Sequence, residues 1–232
     1  VKSIDRRKLL QFLALAGISK PASAFWFFGD SDKPGADPNR QIHTHRGSFT
    51  INGTTGDASS LISPGDEIIT GDDSRLVFHQ GKDAYLLRSH TRILLQGDNA
   101  IVNTLRIVSG AVLSVFGSGS KQIITPVATA GIRGTGTYFE VDDNQTYFCT
   151  CYGETTVSSN EDPSVTESIA TTHHESPRYI RNTAQGSYIE KAPVKNHSDA
   201  ELIMLEATVG REPPFGTEES EEGYYLGSNW TG

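Results

Sequence analysis

Only two cysteines, one methionine and two tryptophans occur in 232 residues. Both cysteines lie in one short stretch, so at most one disulfide can form and apolar burial must hold the fold. At 36% hydrophobic the chain is apolar enough for a core and too polar for an integral membrane protein. Basic residues are scarce: 20 Lys and Arg stand against 28 Asp and Glu, a net charge of −8. No Lys/Arg stripe occurs outside the extreme N-terminus, which excludes a nucleic-acid partner, since phosphate needs a basic surface. Catalytic signatures are lacking as well. There is no Gly-x-Ser-x-Gly elbow, no His-Glu-x-x-His helix, no P-loop lysine and no dinucleotide glycine fingerprint. Asp72-Asp73 and Asp142-Asp143 are adjacent pairs in turn-like sequence. Their side chains diverge there, which suits turn formation better than acid–base work. The expectation is a non-catalytic protein.

What is present is glycine, 23 residues of it, between short β-branched runs. From Gly47 onward come RGSFTING, GDEIITG, RLVFHQG, AYLLRSH, TRILLQG, TLRIVSG, AVLSVFG and KQIITP. Each supplies one strand and one turn, and the spacing predicts an all-β domain: a sandwich, a barrel or a stacked array of short strands.

The N-terminus reads as an address. In KSIDRRKLLQFLALAGISKPASA, residues 2–24, a basic region precedes a short apolar stretch and an Ala22-Ser23-Ala24 cleavage site. That is the order of a secretory signal. The apolar stretch is shorter than the about 20 residues a bilayer span needs. Arg6-Arg7, Leu9-Leu10 and Lys20 resemble the twin-arginine leader, with Asp5 and Leu9 departing from its usual residues. The expectation is cleavage near Ala24 and a periplasmic or secreted protein without stable membrane insertion. Residues 25–46, with Pro34, Gly35 and Pro38, read as a linker.

In residues 121–141, KQIITPVATAGIRGTGTYFEV, Pro126 ends a strand. Gly131, Gly134 and Gly136 permit tight backbone before Tyr138–Val141 resume a strand. The segment TPVATAGIRGTGTYFEV resembles the signature of FecR domains, iron-dicitrate-sensor-like periplasmic modules. Upstream, GDEIITGDDSRLVFHQGKDAYLLRSHTRILLQG is similar to the family's earlier strands; downstream, YGETTVSS is similar to its closing strand. The resemblance covers residues 47–159 and is most specific at Arg133-Gly134-Thr135. It implies a stacked β module that contacts an envelope or secreted protein. In iron-responsive regulators such a module lies between an outer-membrane receptor and a cytoplasmic sigma factor. No cytoplasmic anti-sigma segment or retained membrane helix is read here, so a stand-alone exported form is expected. For Arg133, the five fixed donors of guanidinium suit tying carbonyls at a glycine-rich turn; an exposed partner or anion contact is the alternative.

Cys149 and Cys151 stand in strand-like TYFCTCYGE. On a strand, Tyr147, Cys149 and Cys151 share one face, with Phe148, Thr150 and Tyr152 on the other. Their Cα atoms would lie about 6.6 Å apart, near the roughly 6.8 Å limit for a disulfide. A disulfide would need a bulge. Three readings remain open: small buried thiols, a strained disulfide, or two thiolates converging on a metal. His173 and His174 are the candidate further ligands, adjacent and therefore expected to diverge. His43 and His45 share a face and are further candidates. The function expected is an exported, protein-binding, sensory or scaffold module; the alternative is an exported metal or redox protein centred on Cys149 and Cys151.

Residues 160–215 read as a polar, loop-like extension with strand fragments such as PRYIRN and SYIEKAP, ending in one helix over about 198–210. Ser198 and Glu201 form a capping-box pattern; Leu202, Leu205 and Val209 keep helical spacing; Gly210 and Pro213-Pro214 stop it. So short a helix must pack on the β domain or on a partner, and its own domain is the expected support. Residues 216–232, with Glu218, Glu219, Glu221 and Glu222, read as an acidic disordered tail.

Overall fold

The computed structural model describes residues 41–98 and 101–216. The expected signal, most of the expected linker and the acidic tail beyond Gly216 lie outside the described residues. All described residues belong to one compact unit.

The chain begins with β1 (Ile42–Arg46), β2 (Phe49–Ile51), β3 (Thr54–Thr55), β4 (Glu67–Thr70), β5 (Arg75–Gln80), β6 (Asp83–Leu87) and β7 (Arg92–Asp98). It continues through β8 (Ile101–Val115), β9 (Ser120–Ile124), β10 (Ala128–Val141) and β11 (Gln145–Ser159). Last come β12 (Thr166–Thr171), β13 (Arg178–Thr183), β14 (Gly186–Lys191) and the helix α1 (Asp199–Thr208). The strands join in one 14-stranded sheet, almost wholly antiparallel.

Three strands are longer than the units read from the sequence: β8 and β11 have 15 residues each and β10 has 14. Each changes neighbours halfway. The first part of β8 pairs with β7, and from Gly110 on it pairs with β6 and β10. The first part of β10 pairs with β9, the second with β8. The first part of β11 pairs with β13, the second with β12. The sheet therefore turns a corner along these strands and closes on itself as two layers. At the corner Gly110 has φ +88°, and a Cβ there would lie 2.5 Å from the Thr91 Cα.

One layer holds β1, β5, β6, β13, β14 and the adjoining halves of the long strands; the other holds β2–β4, β7, β9, β12 and the remaining halves. Phe78, Tyr85, Phe139 and Phe148 from the first pack with Ile68, Ile93, Leu105, Ile123 and Val157 from the second. The first layer is also apolar outside. Val77, Leu86, Leu113, Tyr138 and Cys149 alternate with those inward residues and form a second cluster with Leu202 and Leu205 of α1. Strands with both faces covered read as unbroken apolar runs, and every residue of β6 is buried.

Helix α1 is what covers the outer face. The Ser198 side chain accepts from the Glu201 N–H, and the Glu201 carboxylate accepts from the Ser198 N–H, so the capping box is closed. Arg75 and Arg88 on the sheet reach Glu201 at 3.1 and 3.0 Å. Burying Leu202 and Leu205 contributes about 1.5–3 kcal/mol each. No helix among the described residues is long and apolar enough to cross a membrane.

Strand pairing starts earlier and ends later than the sequence pattern suggests. Ile42–Arg46, inside the expected linker, is strand β1, with Ile42 fully buried against β5. Its sequence, IHTHR, carries a single apolar residue, so alternation gives no signal. Beyond Ser159, β12, β13 and β14 extend the sheet through sequence read as loop-like, with β13 and β14 falling on the expected strand fragments PRYIRN and SYIEKAP. These strands are half exposed; their outward residues include Thr166, Ser168 and Lys191, with Ala170 and Tyr188 also exposed. Glu167 of β12 pairs with Arg178 of β13. The hydrogen bond from Arg178 holds the Glu167 carboxyl below its ordinary range. A depressed folded-state value stabilises the fold above the unfolded carboxylate range, and that stability is lost as pH falls through the folded value. Unfolding of Glu167→Gln at pH 7 and pH 3 is expected to show a deficit against the parent at pH 7 that shrinks at pH 3.

Candidate functional site

The outer face of the first layer carries both cysteines. On β11, Thr150 pairs with Thr137 and Tyr152 with Gly136, which leaves Cys151 between them without a partner residue. This is a β-bulge, and it rotates the strand beyond it. Tyr152, expected opposite the cysteines, therefore lies in the same cluster as Cys149 and Cys151. A second irregularity on β10, between Arg133 and Gly136, compensates for the first. Both cysteines are free and fully buried; the bulge that a disulfide would need is there, but the bond is not.

His174 follows β12 in a tight turn, and its backbone N–H donates to the Cys151 carbonyl at 2.9 Å. Its φ of +53° breaks the extended geometry that would send adjacent side chains apart. The rings of His173 and His174 consequently lie 4.9 Å apart instead of diverging. His174 Nδ1 is 3.6 Å from Cys149 Sγ and 3.0 Å from His197 Nε2. His197 precedes α1, stacks on Tyr138 with centroids 4.5 Å apart, and its Nδ1 donates to the Lys195 carbonyl at 2.7 Å. Asp199, the first residue of α1, accepts from His174 Nε2 at 3.1 Å and from His173 Nε2 at 2.8 Å.

One donor atom from each of Cys149, Cys151, His174 and His197 lies within 4.8 Å of every other, and all four residues are buried. His173, His174 and Asp199 form an adjoining, less buried group. Of the ligands expected from sequence, Cys149, Cys151 and His174 converge; His173 turns to Asp199 and Phe215 instead. His43 bonds His79 at 2.8 Å and His45 packs edge-on against Phe49, so neither joins the cluster. Sequence reading missed His197 and Asp199. Their signal was position: they flank Ser198, the cap that fixes where α1 begins.

Burial opposes ionisation of Cys149, but hydrogen bonds from Cys151, His174 and His197 outweigh it and hold the thiol well below its ordinary range. Burial pushes the Cys151 thiol up, and its hydrogen bond to Cys149 adds to this. Burial also opposes a charged His174, yet Cys149 and Asp199 raise it above the ordinary imidazole value. An acidic thiol beside imidazole suits either a nucleophile or a metal ligand. Cys149, His174 and Asp199 even stand in the order of a nucleophile–base–orienter relay. Access decides between these uses. Cys149 is 0% exposed. Two clefts open on the surface, one lined by Asp142–Gln145 and Arg181–Thr183, the other by residues of β9–β12, and neither reaches Cys149.

The signature residues have another setting. Pro126 is exposed in the turn joining β9 to β10, which Thr125 and Ala128 close. Gly131, expected in a turn, is paired within β10. Gly134 has φ +59° at the irregularity, and Thr135 beside it is fully buried. Arg133 does not tie carbonyls at a turn: it is paired within β10, and its exposed guanidinium makes no hydrogen bond or ion pair among the described residues.

The fold and site together define an all-β two-layer protein whose helix closes over a thiol–imidazole cluster. No protein-family model and no curated protein matches the chain. Two crystal structures of a "putative anti-sigma factor" from Parabacteroides distasonis are similar to it, each with TM-score 0.45 and 9% identity. One alignment covers 61% of this chain and 74% of that one; the other covers 60% and 71%.

Proposed function

We propose that this chain is a non-catalytic, exported β module of the FecR type that works in the bacterial envelope by binding a protein partner. The observation that carries the reading is the position of Arg133. The most specific residue of the FecR-like signature projects into solvent, beside a shallow cleft lined by Ser120, Lys121, Glu154, Thr156 and Ser168. An arginine kept out of the fold's own hydrogen bonds offers a fixed fork of donors to a carboxylate or a run of carbonyls on another protein. The signal-like N-terminus and the acidic composition support a place beyond the inner membrane and a partner other than nucleic acid. The acid–base–thiol relay among the described residues is sealed, which favours a binding role over turnover.

Arg133→Glu tests this. The substitution is on the surface, and stability is expected to stay within about 0.5 kcal/mol of the parent. Capture of envelope proteins by the full chain is expected to lose the partners that the parent retains. Identical capture by parent and variant would remove Arg133 from any interface and the reading with it.

A further inference from the structure

We infer that Cys149, Cys151, His174 and His197 form a closed four-ligand site for one zinc-class divalent cation. The inference is independent of the partner-binding reading. It rests on where the hydrogen atoms must be. His174 donates from Nε2 to the Asp199 carboxylate, and His197 donates from Nδ1 to the Lys195 carbonyl. In neutral imidazoles those bonds leave lone pairs on His174 Nδ1 and His197 Nε2. The two atoms face each other at 3.0 Å, with Cys149 Sγ 3.6 Å from the first. Two acceptors held face to face lack a donor unless a proton or a cation lies between them.

The spacing fits a cation. With metal–nitrogen bonds of about 2.0–2.1 Å and metal–sulfur bonds of about 2.3 Å, a tetrahedron has edges of about 3.3 Å between nitrogens and about 3.6 Å from nitrogen to sulfur. The observed 3.0 and 3.6 Å lie close to those edges, and all four donor atoms lie within 4.8 Å of one another. Charge also balances. Two thiolates neutralise a divalent ion, while the Asp199 carboxylate faces the exposed-side imidazole of His173. A carboxylate on the far nitrogen of a ligating histidine fixes its tautomer and raises its basicity. Two sulfurs with two imidazoles select zinc over calcium or magnesium, which take oxygen. Four protein donors leave no position for water, so the centre would be structural. It would join three segments: the bulge of β11, the turn after β12 and the residues before α1. The bulge at Cys151 and the left-handed His174 are the backbone features that bring the donors together.

The test uses the full chain, purified under reducing conditions, loaded separately with Zn2+ and Co2+. One equivalent of Zn2+ per chain by elemental analysis is expected. The Co2+ form is expected to show the intense visible bands of a tetrahedral site and a thiolate-to-metal absorption. His197→Gln and the double variant Cys149→Ser/Cys151→Ser should retain under a tenth of an equivalent. Asp199→Asn should keep the stoichiometry and bind about 10–100-fold more weakly. Because the ligand variants could unfold, the parent protein alone also decides. Chelation of the Zn2+-loaded parent should release the metal and lower its melting temperature, because the centre joins three segments of the fold. Failure of the folded, reduced parent to bind Zn2+ or Co2+, an octahedral Co2+ spectrum, or an unchanged melting temperature after chelation would overturn the inference.

Discussion

Glu201→Ala is expected to destabilise the protein by about 2–4 kcal/mol, because one carboxylate does two jobs. Its oxygens accept from the Ser198 N–H at 3.2 Å and close the capping box. The same oxygens hold Arg75 and Arg88 at 3.1 and 3.0 Å. The cap alone is worth about 0.5–2 kcal/mol. Removing one member of a buried ion pair costs about 3–5 kcal/mol, and a lower figure applies here because the arginines are 22% and 29% exposed. Arg75 and Arg88 would then face each other across the outer sheet without their shared anion. Urea unfolding is the measurement, with an unchanged slope expected and a melting temperature lower by roughly 4–16 °C. Glu201→Gln retains the cap geometry and loses the charge, so it should fall between the two. An Ala variant within about 0.5 kcal/mol of the parent would mean that α1 is held by Leu202 and Leu205 alone.

The same helix shows what was legible in the amino-acid pattern and what was not. Ser198 and Glu201 announce the cap from sequence because the motif is local: a hydroxyl, three steps, a carboxylate. The observed helix, Asp199–Thr208, lies inside the expected 198–210. The all-β class was legible for a related reason, since short apolar and β-branched runs such as RLVFHQ, AYLLR and TYFEV recur between glycines and polar pairs. Edge strands weaken that signal: β1 and β12 escaped for it, and β13 and β14 showed only as the fragments PRYIRN and SYIEKAP within polar sequence. The metal-type cluster was half legible. Cys149 and Cys151 share a face in any strand, but their partners depend on two backbone departures that alternation cannot express. One is the bulge at Cys151; the other is the positive φ of His174. His197 was hidden because it is brought in by the docking of α1, a contact between segments far apart in the chain. The outer apolar layer was hidden in the same way: β6 reads as a core strand, and nothing local says that one of its faces waits for a helix.

Gly153→Ala is expected to cost about 2–5 kcal/mol, combining left-handed backbone strain with a collision. Gly153 has φ +90° just past the Cys151 bulge, where β11 exchanges β13 for β12. A Cβ there would lie 2.4 Å from Thr135 Cγ2 and 3.1 Å from the Gly134 carbonyl. Thr135 is fully buried and cannot swing into water. The backbone itself must move, and the segment nearest to hand is the bulge. Gly186→Ala supplies the control. Gly186 has φ +114° at the β13–β14 turn, and a Cβ there meets nothing within 4 Å. That variant should show only the strain of about 1–2 kcal/mol. The difference between the two in urea unfolding therefore measures the packing of the corner, expected at about 1–3 kcal/mol. If displacement of the bulge is the way the strain is relieved, Gly153→Ala should also bind Zn2+ more weakly while Gly186→Ala binds it as the parent does. Equal losses of stability in the two variants would show that the corner yields freely, and that the close approach of β10 to β11 does not hold Cys151 in place.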